Sequence, residues 1–210
     1  MTTVVTGRAA FERVASDAPA TARVPVEVRV EVADPFEAYR RARDGPGGVF
    51  LETTGGQDGW GYFAVDPVLR VQVGPEAVSR TDTGDGDLSG PFDPPKSPSL
   101  DALRTALDGE TLVRGDCDVP YPCGAVGWLS YDVARELEDF PPAAPGGPGA
   151  VDDRGLPRLQ AALFDRIAAW ECPADGDEST ADDGSAGGDA DTGDADPDDD
   201  GGVTLRVTAC

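Results

Sequence analysis

The chain has 210 residues, of which 40 are Asp or Glu and 17 are Lys or Arg, so its formal charge is −23, and it contains no histidine. A surface this acidic repels phosphate groups, which argues against binding to nucleic acids or anionic membranes. The absence of histidine excludes His-based catalytic triads and His-ligated zinc sites. The length fits one domain of about 150 residues with an additional segment, or a part of a larger protein.

The types of charged residue in the chain are informative. Lys96 is the single lysine, the other basic residues are arginines, and aspartate dominates the acidic residues. This composition is typical of proteins adapted to molar salt, where the Debye length falls to about 3 Å and self-repulsion is screened. The alternative is an ordinary acidic protein with a disordered tail. Residues 173–202 hold 12 acidic and no basic residues, yet the rest of the chain still has 28 acidic against 17 basic residues, which favours adaptation to salt.

The cysteines and the N-terminus indicate the compartment. Cys117, Cys123, Cys172 and Cys210 form no Cys-x-x-Cys pair, so a zinc site is not expected, and a disulfide framework would need an oxidising compartment. A disulfide between Cys117 and Cys123 is the remaining alternative. The first residues lack the apolar run of a signal peptide, and no stretch approaches the roughly 20 apolar residues that span a bilayer. We therefore expect a cytoplasmic protein with reduced thiols.

The first half of the chain is predicted to combine short helices and strands. Alternation of valine with charged residues indicates a half-buried strand, an Asp-Pro pair indicates a helix N-cap, and aromatic and β-branched residues on both sides of a turn dipeptide indicate two strands. The predicted elements are a helix at 8–15, a strand at 24–32, a helix from Pro35 to Gly45 capped by Asp34, a strand at 49–54, and two strands on either side of Asp66 and Pro67.

The second half is less regular. Residues 159–170 fit both helical spacing and strand alternation, with a slight preference for a helix, and the tract 173–202 has almost nothing to bury and is expected to be disordered. The strand that follows must pair with the preceding body or with something outside the sequence. The predicted elements are a loop at 81–98, a helix at 100–107 capped by Ser99, a strand-to-helix change near Tyr131, a Pro/Gly linker at 141–157, and a strand at 203–210.

Few residues are candidates for chemistry. Glu52 is an acid in a predicted strand, although an outward-facing surface residue would look the same. Gly124 and Gly127 could cradle a phosphate, but GAVG lacks the Lys and Ser or Thr of a P-loop, so close backbone packing is favoured. Asp132 and Arg135 fit a helix cap with an i,i+3 ion pair.

Five segments together carry a family resemblance: DPFEAYRRAR at 34–43, FLETT at 50–54, DGWGYFAVDPVLRV at 58–71, CGAVGWLSYDVARELEDFP at 123–141 and DDRGLPRLQAALFD at 152–165. They resemble the N-terminal region of anthranilate synthase component I over about residues 8–170. FLETT is similar to the Leu-Glu-Ser element of that family, with Thr53 in place of Ser. The fourth segment is similar to its Gly-Gly-x-Val-Gly-Tyr-x-x-Tyr-Asp element followed by Arg and Glu, with Cys123 and Trp128 as departures.

The resemblance implies a fold and a domain organisation. The fold would be α+β, with mainly antiparallel sheets and a few flanking helices, and residues 159–170 would be a strand. Residues 1–172 would form an N-terminal regulatory domain, 173–202 an acidic insertion, and 203–210 the start of the next strand. The chorismate-binding catalytic region would follow outside this sequence.

The resemblance also implies a function. The complete enzymes make anthranilate from chorismate with Mg²⁺ and with ammonia that component II derives from glutamine, and free tryptophan inhibits them through this region. Glu52 and Thr53 would then contribute to tryptophan binding, while GWGYFAV offers no basic partner for the tryptophan carboxylate. No catalytic, cofactor-binding or metal-binding residue is expected in this chain, which alone would be inactive. The alternatives are aminodeoxychorismate synthase component I, of folate synthesis, and a stand-alone effector-binding module.

Overall fold

Two antiparallel sheets form the framework of the part of the chain that the structure describes. The structure is a computed structural model and describes residues 1–74, 78–82, 97–138, 155–174 and 202–210. Within these ranges one sheet has six strands, one has four, and a parallel ladder has two. A few short helices flank the sheets. The predicted α+β fold with mainly antiparallel sheets is therefore confirmed.

The six-stranded sheet brings together strands from both ends of the sequence. In order across the sheet it contains β1 (Thr2–Val4), β3 (Val26–Val32), β12 (Val203–Ala209), β11 (Arg166–Cys172), β5 (Gly59–Ala64) and β4 (Val49–Leu51). Leu205 of β12 lies opposite Val30 of β3, and Ala168 of β11 lies opposite Phe63 of β5. The strand after the acidic tract thus pairs on both sides with strands of the same chain.

Helix α2 (Pro35–Ala42) covers one face of this sheet, and the residues on that face are apolar. The helix begins as predicted, since the Asp34 carboxylate accepts hydrogen bonds from the backbone N–H groups of Phe36 (2.7 Å) and Glu37 (3.4 Å). Its Tyr39 is buried in a cluster with strand residues. The buried members of the cluster are Tyr39, Phe63, Ala168, Trp170 and Leu205.

The four-stranded sheet packs against helix α3 (Pro98–Leu107). Its strands are, in order, β7 (Val78–Asp82), β6 (Leu69–Val73), β10 (Leu159–Phe164) and β9 (Gly124–Leu129). Ala102 and Ala106 of α3 are buried against apolar residues of β6 and β10. Strand β7 was not predicted, and its last two residues fall in the stretch that was expected to be a loop from residue 81.

Two chain segments cross from one sheet to the other at the same place. Strands β5 and β6 are separated by a turn in which Asp66 adopts a positive φ of 52°, and β10 and β11 are separated by Asp165. The backbone N–H of Val68 donates to the carbonyl of Leu163 (2.8 Å), which holds the two crossings together. Residues 159–170 are therefore strand, as the family resemblance implied, but they belong to two strands in two sheets.

The remaining elements are short. They are helix α1 (Arg8–Asp17), the parallel pair β2 (Ala22–Arg23) and β8 (Thr111–Leu112), a 3₁₀ turn (Tyr131–Val133) and helix α4 (Ala134–Leu137). Most of the predicted loop at 81–98, the linker at 141–157 and the acidic tract at 173–202 lie outside the described residues. No helix in the described ranges is long and apolar enough to cross a membrane.

Several boundary predictions were wrong. Helix α2 ends at Ala42 and not at Gly45, because Arg43 already has an extended backbone. The cap of α3 is Ser97, whose hydroxyl oxygen accepts from the backbone N–H of Leu100 (3.4 Å), and not Ser99. The strand predicted at 49–54 ends at Leu51, because the chain then turns through Gly55 and Gly56, which both have positive φ.

Candidate functional site

Glu52 and Thr53 lie in the turn between β4 and β5, directly after the end of β4. The expectation that Glu52 lies inside a strand is therefore corrected. Its side chain is exposed, and within the described part of the chain its carboxylate has no hydrogen-bond or ion-pair partner. A carboxylate in this position is available to a cationic group from outside the chain.

Thr53 anchors this turn to β5. Its hydroxyl donates a hydrogen bond to the backbone carbonyl of Trp60 (3.1 Å). The side chain also fills the space above Gly59, where a Cβ would lie 2.2 Å from the Thr53 Oγ1. The Thr53 hydroxyl oxygen keeps its acceptor capacity, so it can accept a hydrogen bond from a ligand beside Glu52.

An aromatic surface lies next to the turn. Leu51, which is 48% exposed, lies opposite Tyr62, and residues opposite each other on neighbouring strands share a face of the sheet. Trp60 and Tyr62 stack with their ring centroids 6.3 Å apart, and Tyr121 packs edge-on against Tyr62 at 5.8 Å. Tyr121 is 67% exposed. The neighbourhood of Glu52 thus combines a carboxylate with apolar and aromatic side chains.

A buried ion pair lies on the same face of the six-stranded sheet. The guanidinium of Arg206 lies 5.6 Å from the centroid of the Trp60 ring and donates two hydrogen bonds to Glu27 (2.8 and 3.0 Å). Arg206 also donates to Asp118, which lowers the pKa of that carboxyl group. Because Arg206 is buried and two carboxylates already balance its charge, it is not available for the carboxylate of a ligand.

The sequence analysis did not single out Glu27 and Arg206. Each lies in a correctly predicted strand, where alternation alone would place a charged residue on the solvent side. The structure buries both, because the segment around Cys117 and Val119 covers this face of the sheet. Glu27 lies opposite Thr208, two residues from Arg206, so this diagonal pair of a buried acid and a buried base is recognisable only once the pairing of β3 with β12 is known.

The segment 123–136, which is part of the fourth segment that carries the family resemblance, has a structural role in this chain. Glu136 is almost fully buried and accepts hydrogen bonds from the Ser97 hydroxyl (2.8 Å), the Ser99 hydroxyl (2.8 Å) and the Ser99 backbone N–H (2.9 Å). Arg158 donates a further one at 3.3 Å. Burial alone would raise the pKa of Glu136, but these hydrogen bonds outweigh it and lower the pKa. Glu136 therefore ties the start of α3 to α4 and to the strand that follows Arg158.

The close backbone packing predicted for Gly124 and Gly127 is confirmed for Gly127 only. A Cβ on Gly124 would meet nothing within 4 Å, and its positive φ of 139° is what favours glycine there. A Cβ on Gly127 would lie 2.1 Å from the carbonyl oxygen of Gln160, so the close approach of β9 and β10 requires glycine. Asp132 and Arg135 form the expected i,i+3 ion pair at 2.9 Å. These observations favour close packing over phosphate binding for this segment.

No metal centre is formed by the described side chains, among which no group of three or more Cys, Asp or Glu could hold an ion. An open groove of about 640 Å³ lies between α1, β2 and the segment before β8, and Cys210 also lines it. Neither Glu52 nor Thr53 lines this groove. All four cysteines are free thiols, so the alternative of a disulfide between Cys117 and Cys123 is not realised.

Comparison with known proteins relates the whole chain to one enzyme component. No protein-family model matches it. It is 50% identical over 210 residues to anthranilate synthase component 1 1 of Haloarcula marismortui, which covers 100% of this chain and 33% of that protein. It is 56% identical over 172 residues to anthranilate synthase component 1 3 of the same organism, covering 81% of this chain and 30% of that protein.

A solved structure, anthranilate synthase component I from Streptococcus pneumoniae TIGR4, matches 66% of this chain and 27% of that chain. The TM-score of 0.33 and the 19% identity are too low to carry an argument. The sequence relation is sufficient, and it confirms the resemblance predicted from the motifs. The chain is a homologue of anthranilate synthase component I and corresponds to an N-terminal portion of it, spanning about a third of the length of the curated relatives it matches.

Proposed function

We propose that this chain is the regulatory portion of an anthranilate synthase component I and that the turn at Glu52 and Thr53 forms part of its tryptophan feedback site. The observation that carries the proposal is the 50% identity to a haloarchaeal anthranilate synthase component 1 over all 210 residues. The complete enzyme would convert chorismate to anthranilate, and tryptophan would limit that conversion by binding here.

The local chemistry supports a ligand with an ammonium group. The Glu52 carboxylate is exposed and unpaired among the described residues, so it can accept a charge-assisted hydrogen bond without first breaking another contact. The Thr53 hydroxyl is held in place by its bond to the Trp60 carbonyl. The half-exposed Leu51 beside this turn offers apolar surface to an aromatic ring.

The carboxylate of tryptophan would need a partner from elsewhere in the enzyme. Arg206 is the basic residue that the structure places against Trp60, and it is committed to Glu27 and Asp118. We therefore place the site at the boundary between this portion and the rest of the enzyme, which would complete it. Binding at such a boundary would couple tryptophan to the catalytic region.

The expectations for the activity, metal, partner and compartment of the complete enzyme rest on the same sequence identity to anthranilate synthase component 1. Chorismate chemistry and Mg²⁺ would belong to the rest of the enzyme, as the family resemblance implies. Component II would supply ammonia to the complete complex. The acidic surface and the Haloarcula relatives support a cytoplasmic enzyme that works in molar salt.

The test is tryptophan binding to the complete enzyme carrying Glu52→Gln. The substitution removes the charge and keeps the shape, and a hydrogen bond to a charged group contributes about 1.5 to 3 kcal/mol, so the Kd for tryptophan should rise about 10- to 150-fold. Calorimetric titration in molar salt measures the Kd. The matched control is Glu138→Gln, since Glu138 is an exposed acid near the other sheet. Equal Kd values in both variants and the wild type would refute the role of Glu52.

A further inference from the structure

Cys123 and Cys210 are 87 positions apart in sequence, and the fold brings them together, since the Cys210 thiol contacts Pro122, the residue before Cys123. Cys123 directly precedes β9, and Cys210 directly follows β12. The Cys210 Sγ lies 3.8 Å from the carbonyl oxygen of Pro122, the residue before Cys123, and the two thiols are near enough to shift each other's pKa. The backbone N–H of Cys210 donates to the carbonyl of Asp165 (2.8 Å), which fixes the end of β12 at the crossing between the sheets.

The surroundings make the two thiols chemically different. The neighbouring Cys210 thiol is the main cause that lowers the pKa of Cys123. The nearby Arg23 guanidinium lowers it further, against burial and the Glu110 and Asp165 carboxylates, which raise it. The Cys123 thiol in turn raises the pKa of Cys210. Cys117 is buried, and burial raises the pKa of its thiol. Of Cys117, Cys123 and Cys210, Cys123 is therefore the thiol that ionises most readily, and it is the attacking thiol of the pair.

The pair is open to small molecules. Cys210 lines the groove of about 640 Å³ described above, and Cys123 lines an adjoining pocket of about 130 Å³. Arg23 and Glu110 line both, and their ion pair lies between β2 and β8. A cationic side chain beside an accessible thiol is the environment of reactive cysteines rather than of structural ones.

We propose that Cys123 and Cys210 form a redox-active dithiol that exchanges with low-molecular-weight disulfides. The Cys123 thiolate attacks one sulfur of the reagent, the disulfide bond of the reagent breaks, and one thiolate leaves, so that a mixed disulfide forms on Cys123. Cys210 then attacks the Cys123 sulfur and releases the second thiolate. The two protein thiols are oxidised, the reagent is reduced to two thiols, and the two protons of the cysteines end on those thiols.

The product would link the end of β12, in the six-stranded sheet, to the start of β9, in the four-stranded sheet. The site would thus report the thiol-disulfide balance of its surroundings as a covalent bond between the two sheets. The resting state is the dithiol, which agrees with the free thiols of the structure.

The experiment treats the reduced chain, in molar salt, with oxidised glutathione, blocks remaining thiols by alkylation and maps the products by peptide mass spectrometry. The wild type and Cys172→Ser, the matched control, should form the bond between Cys123 and Cys210. Cys210→Ser should stop at a glutathione adduct on Cys123. Cys123→Ser should react about tenfold more slowly at its remaining thiols, because thiolate fraction and access limit the rate.

A second measurement does not depend on any variant. The rate of alkylation of Cys123 in the wild type should rise at a lower pH than that of Cys117, read from the same peptide by fragmentation. Adducts spread equally over the four cysteines, a first adduct on Cys210, or a bond between Cys117 and Cys123 would each overturn the proposal.

Discussion

Replacing Glu136 with Gln tests the contact that joins α3, α4 and the strand after Arg158. The two carboxylate oxygens have separate sets of donors. One accepts from the Ser97 hydroxyl and the Ser99 backbone N–H, and the other accepts from the Ser99 hydroxyl and Arg158. A glutamine must turn its NH₂ group toward one of these sets.

Neither orientation of the amide satisfies the site. Toward the first set, the NH₂ faces the Ser99 backbone N–H, which can only donate, and toward the second it faces Arg158, which also can only donate. Hydrogen bonds to a charged group contribute about 1.5 to 3 kcal/mol each, and breaking a buried ion pair from one side costs about 3 to 5 kcal/mol. Because glutamine keeps the volume and half of the acceptors, we expect a loss of about 2 to 4 kcal/mol in the free energy of unfolding.

The assay is urea unfolding in molar salt, followed by circular dichroism, with the midpoint compared at equal slope. The control is Asp132→Asn, because the Asp132–Arg135 pair is about one third exposed and should contribute less than about 1 kcal/mol. If Glu136→Gln lowered the free energy of unfolding no more than Asp132→Asn does, the reasoning about the buried donors would be refuted.

Three further predictions follow from the same structure. The pKa of Glu136 is lowered from the ordinary value of 4.5, so its contribution to the free energy of unfolding is complete above that pH and is lost as the pH falls below it. The difference in urea midpoint between wild type and Glu136→Gln should therefore shrink as the pH falls. A constant difference would contradict this. Raising the salt concentration from about 0.1 M to about 1 M shortens the Debye length from about 10 to about 3 Å, so the Tm should rise clearly, and an unchanged Tm would count against adaptation to salt. Gly127→Ala places a Cβ against the Gln160 carbonyl and should destabilise by about 1 to 3 kcal/mol in urea unfolding, whereas Gly45→Ala, in open space, should be close to neutral.

Some features were readable from the sequence because their causes are local. The Asp34-Pro35 pair predicted the start of α2, since a cap is formed by groups within three residues of each other. The valines of β3 predicted a half-buried strand from their alternation. The i,i+3 pair of Asp132 and Arg135 depends only on helical geometry.

Other features misled the local argument. Ser99 looked like the cap of α3, but Glu136 binds both its hydroxyl and its backbone N–H, and the cap is Ser97. Glu52 looked like a strand residue, but β4 ends one position earlier. Residues 159–170 had no decisive periodicity, because they form two strands. The chain passes from the four-stranded to the six-stranded sheet at Asp165.

The sequence by itself determined the class of fold, most of the individual elements, the acidic character of the surface and the relation to anthranilate synthase component I. The acidic surface follows from composition and the elements follow from short-range periodicity, whereas the class of fold was implied by the resemblance of the five segments to the family. Only the tertiary structure decided that Glu27 meets Arg206 and that Cys123 meets Cys210. Both contacts depend on the position of β12, which pairs with β3, more than a hundred residues away along the chain, and with β11, which is close along the chain. Alternation within a strand carries no information about which strand lies beside it.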